Sequence, residues 1–448
     1  MEQIIELINS DSAKSMLIGT ESLRKLLSPD RGVIAQKVID VGLVPRLLSF
    51  LDPLVPDSLQ FEASWCLGNI VSGKSEHSHH VMQHGALFSF LRLLSLPQID
   101  SGVKEQCLWI LGNIASDSRE YRDEILHSGL DKILGLFELP IEKMKISMLR
   151  NLVWTLSCLS KHKPHPPLHM MVPVLSWMAH TITCRDTEVL IDSSWVLSWL
   201  TVTDEGAQCA IDTGIAKRVV ELMTYYEPIL VPALRTVGNL ASGTDQQTQV
   251  ILQLGALPII RTLMSHNKPS IRKECFWILS NIAGGTPEHI QQLIYHDFFP
   301  HLLKVLVSEA EDKAHKKEII HVLNNASSGG SYLQILYFVH TGFFQALQHY
   351  IQFNYISDPY TTKIALEALE TLLDLGVSLG KEIQEENIFI EICVKLDFQK
   401  LLELVESDDN TLNSQCQQIL TKFFSNGTTI TTQKKSIEQL IEKLSIQQ

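Results

Sequence analysis

What the chain lacks narrows its class first. No apolar run reaches the ~18 residues that a membrane-spanning helix needs. The opening stretch, MEQIIELINSD, is acidic and has neither the basic start nor the apolar core of a secretory signal peptide. The eight cysteines are scattered at positions 66, 107, 158, 184, 209, 275, 393 and 416, without a CxxC pair. Such spacing speaks against a disulfide framework or a metal site and for free thiols in a reducing compartment. Positive charge is scarce: Lys and Arg total 37 against 50 Asp and Glu, a net charge of −13. That balance disfavours nucleic acid and anionic membranes as main partners and favours basic ones. Strand patterns are nearly absent. So are a phosphate-binding Gly loop, a nucleophile with its base and a metal cluster, so no catalytic activity, cofactor or metal is expected.

What is present is a repeat. The 448 residues are 45% apolar, enough for a large core. Trp65 lies in ASWCLGNIVSG, Trp109 in CLWILGNIAS, Trp154 in LVWTLSCLS and Trp195 in SSWVLSWLT. Arg235 lies in ALRTVGNLASG, Trp277 in CFWILSNIAGG and His321 in IIHVLNNASSGG. Subtracting these positions gives intervals of 44, 45, 41, 40, 42 and 44 residues. Between them a second phrase recurs, a Gly followed by an apolar helix, at Gly42, Gly85, Gly129, Gly214, Gly255 and Gly342, with Asp297 in the same role. The Gly suits a tight bend between helices. Each unit reads as a short helix, a bend, a longer apolar helix, a polar loop and the Trp/Asn helix.

A period of about 40–47 residues built from helices is the armadillo/HEAT pattern. The expected fold is therefore all-α, a right-handed superhelical solenoid whose third helices line a concave groove. Residues 4–27 read as a partial first unit. The stretches 364–375, 390–405 and 412–424 read as apolar helices without the Trp/Asn signature. Residues 161–167 (KHKPHPP) read as a Pro-rich loop, and 308–317 as a charged loop or helix start. The array is expected over 1–430, followed by a polar tail at 431–448.

The Trp/Asn helix carries the chemistry. At about 100° per residue, with Trp65 at 0°, Asn69 falls near 40° and Glu62 near 60°. Leu59, Ala63, Cys66, Leu67, Ile70 and Val71 fall between roughly 100° and 240°. Trp65 and Asn69 thus point away from their own helix's packing stripe, and the same holds for Trp109 and Trp195. A helical Trp is usually core, but this arc opposes that reading. A helical Asn is often merely solvated. Its return at Asn69, Asn113, Asn239, Asn281 and Asn325 in one register opposes that too. Rows of indoles leave slots for the stems and charges of Lys or Arg, each contact worth roughly 0.5–2 kcal/mol. A parallel row of amides can pair with the backbone of an extended peptide. Carboxylates at the rim select positive charge.

These phrases closely resemble the importin-α family, nuclear localisation signal receptors, from about residue 4 to 424. The most specific segments are LQFEASWCLGNIVSG, PALRTVGNLASGTDQQTQV and SGGSYLQILYFVHTG. The resemblance implies about ten armadillo repeats and two signal-binding areas on the concave face. It implies a major area at Trp65, Asn69, Trp109, Asn113 and Trp154. A lysine pocket there is implied at Gly73, Ser78 (Thr in most relatives) and Asp117, with supporting positions Ser72, Glu105, Gln106 and Asp192. The implied minor area comprises Asn239, Asp245, Thr248, Glu274, Trp277, Asn281, Glu318 and Asn325. Arg235 interrupts the Trp row between the two areas. Glu274 and Glu318 each precede a ladder position by three residues and so share its helix face.

Departures from the family pattern carry expectations of their own. Cys158 stands where an Asn is expected after Trp154, Trp199 where Tyr is usual, and His321 in place of the last Trp. His321 is expected to be partly charged near neutral pH, and the minor area to be the poorer one. No Lys/Arg cluster precedes the first repeat, so neither autoinhibition nor a standard link to importin-β is expected. The leading reading is a nuclear import adaptor for Lys/Arg-rich cargo segments, active in cytoplasm and nucleus, with an export receptor as a further partner. Two other readings stay open: a regulator or chaperone that sequesters basic cargo, and an armadillo scaffold for other peptides.

Overall fold

In a computed structural model the chain is described over residues 1–29, 32–382, 387–405 and 407–424. The expected tail at 431–448, with residues 425–430, lies outside these. Every regular element among the described residues is helical. The unit read from the sequence recurs as three helices, such as Ser75–Gln83, Ala86–Ser95 and Ser101–Asp117. It returns as Asp245–Gln253, Ala256–Leu263 and Pro269–Ala283, and again as Pro287–Tyr295, Phe298–Leu306 and Lys313–Gly329. The partial first unit is the pair Glu2–Ile8 and Ala13–Leu27.

Local chemistry sets the boundaries. Thr244 opens the Asp245–Gln253 helix by accepting from the Gln247 amide, and Gln247 Oε1 accepts the Thr244 N–H at 3.0 Å. This reciprocal cap satisfies donors that the first turn leaves open. The bend after the first helix needs a left-handed residue. Gly85 (φ 75°) and Gly255 (φ 80°) supply it, and Asp297 adopts φ 55° in the same place. Asp tolerates this region better than most side chains.

Two expectations fail at such bends. Gly129 forms no bend, because the helix Arg119–Leu134 runs straight through it. A methyl group there would lie 2.3 Å from Leu91 Cδ2, so Gly129 serves close helix packing instead. Conversely, 390–405 is not one helix. It divides into Ile390–Lys395 and Phe398–Leu404 around Asp397, at φ 54°. Asp397 opens the same Asp-Phe-apolar phrase as Asp297.

The chain forms two compact units, Met1–Thr236 and Val237–Gln448. In the first, the third helices Asp57–Val71, Ser101–Asp117, Ile146–Lys161 and Thr187–Leu200 stack one on the next. In the second, Pro269–Ala283, Lys313–Gly329, Pro359–Glu382 and Asn410–Phe423 do the same. Each third helix buries the stripe read from the sequence, for example Val103, Cys107, Leu108, Ile110, Leu111, Ile114 and Ala115. Stacked repeats bury apolar faces that no single repeat could cover.

Candidate functional site

The ladder tryptophans stand on the third helices, and each is half-buried. For Trp109, Trp154 and Trp277 the seat is a glycine of the preceding third helix. A methyl group at Gly68 would lie 2.4 Å from Trp109 Cζ3, and one at Gly112 would lie 2.3 Å from Trp154 Cζ3. In the second unit, one at Gly238 would lie 2.0 Å from Trp277 Cζ3. No other side chain lets an indole lie so close to the neighbouring backbone. The six-membered ring of each of these indoles therefore packs against the adjacent repeat while the residue stays partly exposed. The indoles are partly structural, which the helical-arc argument alone missed. The signal was present: the Gly of LGN and VGN precedes the next Trp by 41, 42 and 39 residues.

The amides are more committed than expected. Asn281 Nδ2 donates to the Gly238 carbonyl at 3.3 Å, and Asn325 Nδ2 to the Ser280 carbonyl at 2.9 Å. Asn113 Nδ2 donates to the Trp109 carbonyl at 3.0 Å. Asn69 is only 1% exposed, and its Nδ2 has no hydrogen-bond partner in the structure. Asn239 is 9% exposed. Asn281 and Asn325 thus tie repeats together through one hydrogen, and the row of amides does not stand wholly open.

Around the implied lysine pocket, Gly73 and Asp117 are exposed. The Ser75 hydroxyl donates to Asp117 Oδ1 and draws that carboxylate against the loop carrying Gly73. Ser78 departs from its expected place. It is fully buried, with its hydroxyl donating to the Val71 carbonyl at 3.0 Å, because it lies on the inner side of the Ser75–Gln83 helix. Thr248 repeats this in the second unit: it is buried and donates to the Ala241 carbonyl at 3.2 Å, while Asp245 is exposed. Both hydroxyls therefore brace the pocket from behind. Ser72 Oγ donates to the Asn69 carbonyl at 3.0 Å. Glu105 already holds Lys145 Nζ at 2.9 Å and Ser147 Oγ at 3.0 Å. Beside it, the buried Gln106 Oε1 has no hydrogen-bond partner in the structure.

The structure brings Trp109, Trp154 and Asp192 together around a cavity of about 260 Å³, which Asn151, Arg150 and Glu188 also line. Burial pushes the Asp192 carboxyl up to about 6; Glu188 adds to this and the Ser157 hydroxyl opposes it. Arg150 is occupied by Asp186, through bonds of 3.1 and 2.7 Å, and by Glu188 at 2.8 Å. Asn151 was not singled out from the sequence, yet its register could have found it. It precedes Trp154 by three residues, as Gln106, Asp192, Glu274 and Glu318 precede their ladder positions. Arg24 was missed as well. Its guanidinium lies 4.4 Å over the Trp65 ring and pairs with Glu62. Cys158 is 5% exposed, and burial pushes its thiol up to about 11, so it presents nothing to a groove. Trp199 stacks on Trp195 at 5.5 Å.

In the second unit, Glu274, Trp277, Asn281, Glu318 and Asn325 all reach solvent in part. Burial raises the Glu318 carboxyl, against the nearby Lys273 and Lys317. His321 corrects an expectation. Burial, helped by Lys317, holds it below the usual imidazole range despite Asp358, so it is mainly neutral near pH 7. Arg235, in the first unit, is exposed. Among the described residues no cluster of His, Cys, Asp and Glu could hold a metal ion, and no helix is long and apolar enough to cross a membrane.

Stacked three-helix units with a recurrent aromatic third helix define an armadillo-repeat protein. The Armadillo/beta-catenin-like repeat family profile matches residues 244–284. The crystal structure of an engineered protein superposes with a TM-score of 0.80 at 22% identity, covering 95% of this chain and 99% of that one. Importin subunit alpha-1a of Oryza sativa subsp. japonica is 43% identical over 290 residues, 64% of this chain and 54% of its own. Importin subunit alpha-1b of the same plant is 38% identical over 414 residues, 91% of this chain and 76% of its own. The chain belongs to the importin-α family.

Proposed function

We propose that the chain is a nuclear import adaptor that holds Lys/Arg-rich localisation signals in extended form along its third helices. The observation that carries this is the row of indoles seated on glycines, with the carboxylates of Asp117 and Asp192 beside it in the first unit and those of Glu274 and Glu318 in the second. A seated indole is rigid and loses little freedom when a ligand arrives. Its outer edge and face flank slots for the methylene stems of Lys or Arg, and each cation gains roughly 0.5–2 kcal/mol from the ring. Asp117, fixed by Ser75, is aimed at a lysine ammonium beside the Gly73 loop. The carbonyl oxygens of the tethered Asn side chains remain to accept peptide N–H groups, which fixes chain direction without reading sequence. In this reading the chain works by binding and release, between cytoplasm and nucleus, and catalyses nothing.

Calorimetry with a single-cluster Lys-rich peptide tests this. Wild-type protein should bind, and Asp117→Lys should abolish binding without changing the circular dichroism spectrum. Unchanged affinity in the variant would refute the assignment of the pocket. A pull-down then separates adaptor from chaperone: direct binding of importin-β supports shuttling, and its absence with peptide binding retained supports sequestration of basic cargo.

A further inference from the structure

One cavity lies beyond the residues assigned above. It holds about 320 Å³ in the second unit and is lined by His321, Asn324, Tyr360, Lys363, Ile364 and Glu367. Asn324 stands between Leu323 and Asn325, as Gly112 stands between Leu111 and Asn113. It is the seat for the next repeat's ring. The next third helix sets Tyr360, Lys363, Ile364 and Glu367 beside His321 at the spacing with which Ser147, Arg150, Asn151 and Trp154 stand beside Trp109, so Glu367, 43 residues after Asn324, holds the ladder place. No indole comes down on this seat, since the ladder place of the next third helix carries a carboxylate.

The open rung has a defined chemistry. Asn324 Oδ1 is buried and has no hydrogen-bond partner in the structure. A buried acceptor left unpaired is costly and draws a donor. Glu367 places a carboxylate at the mouth and is exposed. Tyr360 is 61% exposed, and Lys317 Nζ lies 5.0 Å over its ring, so this ring suits a cation and an incoming guanidinium would displace Lys317 from it. Lys363 offers little repulsion, since its Nζ lies 2.8 Å from Asp409 and donates to Thr411 at 2.6 Å.

We propose that this cavity receives one arginine side chain of the bound peptide, one repeat beyond Trp277's neighbour His321. The inference rests on the basic-peptide reading above and extends it by a rung. A guanidinium is planar and can stack on Tyr360, donate one N–H to Asn324 and offer another edge to Glu367. An ammonium is a point charge and cannot serve all three at once. Adjacent helices lie about 8–10 Å apart, which an extended chain spans in about three residues.

The test compares a short basic peptide with versions lengthened by three residues at either end and bearing Arg, Lys, Phe or Ala at the new terminal position. Affinity is read by fluorescence anisotropy. The Arg extension at one end should tighten binding about five- to tenfold over Ala, with Lys in between. Tyr360→Ala and Glu367→Gln, both at exposed residues, should each reduce that gain while the short peptide binds as before. Equal affinity of the Arg and Ala extensions, or a gain that survives both variants, would overturn the pocket alone. A Phe extension that binds more tightly than Arg would overturn it in favour of an aromatic occupant. If the short peptide does not bind at all, the groove reading falls and the pocket with it.

Discussion

Asp192 links the candidate groove to pH. Its carboxyl, pushed up to about 6 by burial beside Trp154 and by Glu188, is substantially protonated at pH 5. A cationic side chain held there would favour the charged form, so ligand and proton compete. The sign follows: affinity should rise as pH climbs through about 6 and level off above it. If binding restores an ordinary carboxylate pKa, the gain between pH 5 and pH 7 is roughly tenfold. Calorimetry of an all-Arg peptide at those two pH values measures it, and Asp192→Asn should flatten the profile. A profile equally steep in the variant would place the titrating group elsewhere. The same raised pKa acts on folding, since a carboxyl raised in the folded state favours the fold below its unfolded pKa. That contribution fades as pH rises through about 6, so Asp192→Asn should narrow the stability difference between pH 5 and pH 7.

At the scale of the element, the seat beneath each indole decides how the third helices pack. Gly112→Ala brings opposing effects. Ala improves helix propensity by roughly 1 kcal/mol, while a methyl 2.3 Å from Trp154 forces the ring to move, a strain of about 1–3 kcal/mol. The melting temperature should therefore change little, while the ring shifts. Trp fluorescence should report the shift and peptide affinity should fall severalfold; unchanged fluorescence and affinity would mean that the indole does not depend on its seat. This balance also shows what the sequence could and could not disclose. The ladder was legible because Trp and Asn recur four residues apart in a helical register. The bends at Gly85 and Gly255 were legible because only a few residues tolerate positive φ. Gly129 was misread because a glycine serves close packing as readily as a turn. The break at Asp397 was missed although its phrase, Asp-Phe and an apolar run, repeats that of Asp297, because no Trp/Asn helix stands in phase beside it. Ser78 and Thr248 were assigned to the surface because a helix's rotation about its axis is set by packing, which spacing alone does not report.

Across the whole molecule, a net charge of −13 and partly exposed carboxylates make ligand binding an electrostatic matter. The screening length is about 10 Å at 0.1 M salt, so affinity for a basic peptide should fall severalfold between low and high salt, as anisotropy titrations would show. The two units should also contribute unequally. Trp65→Ala with Trp109→Ala should cost more affinity than Trp277→Ala with Asn281→Ala, if the first unit holds the stronger area. Most of that loss should come from Trp109, since Arg24 already covers one face of Trp65. Circular dichroism must accompany these variants, because a half-buried indole also stabilises the stack.

The glycine seats make the array directional. At three junctions one repeat prepares the floor for the ring of its successor, so the matched pair spans a junction and not a single unit. Repeats are therefore not freely interchangeable beads. A shuffled array would keep its helices, yet a unit bearing Trp placed after the one ending in Asn324 would meet that side chain where Gly68, Gly112 and Gly238 leave room. A transplanted segment should be cut between a ring and the seat that follows it on the same helix, with the upstream glycine carried along.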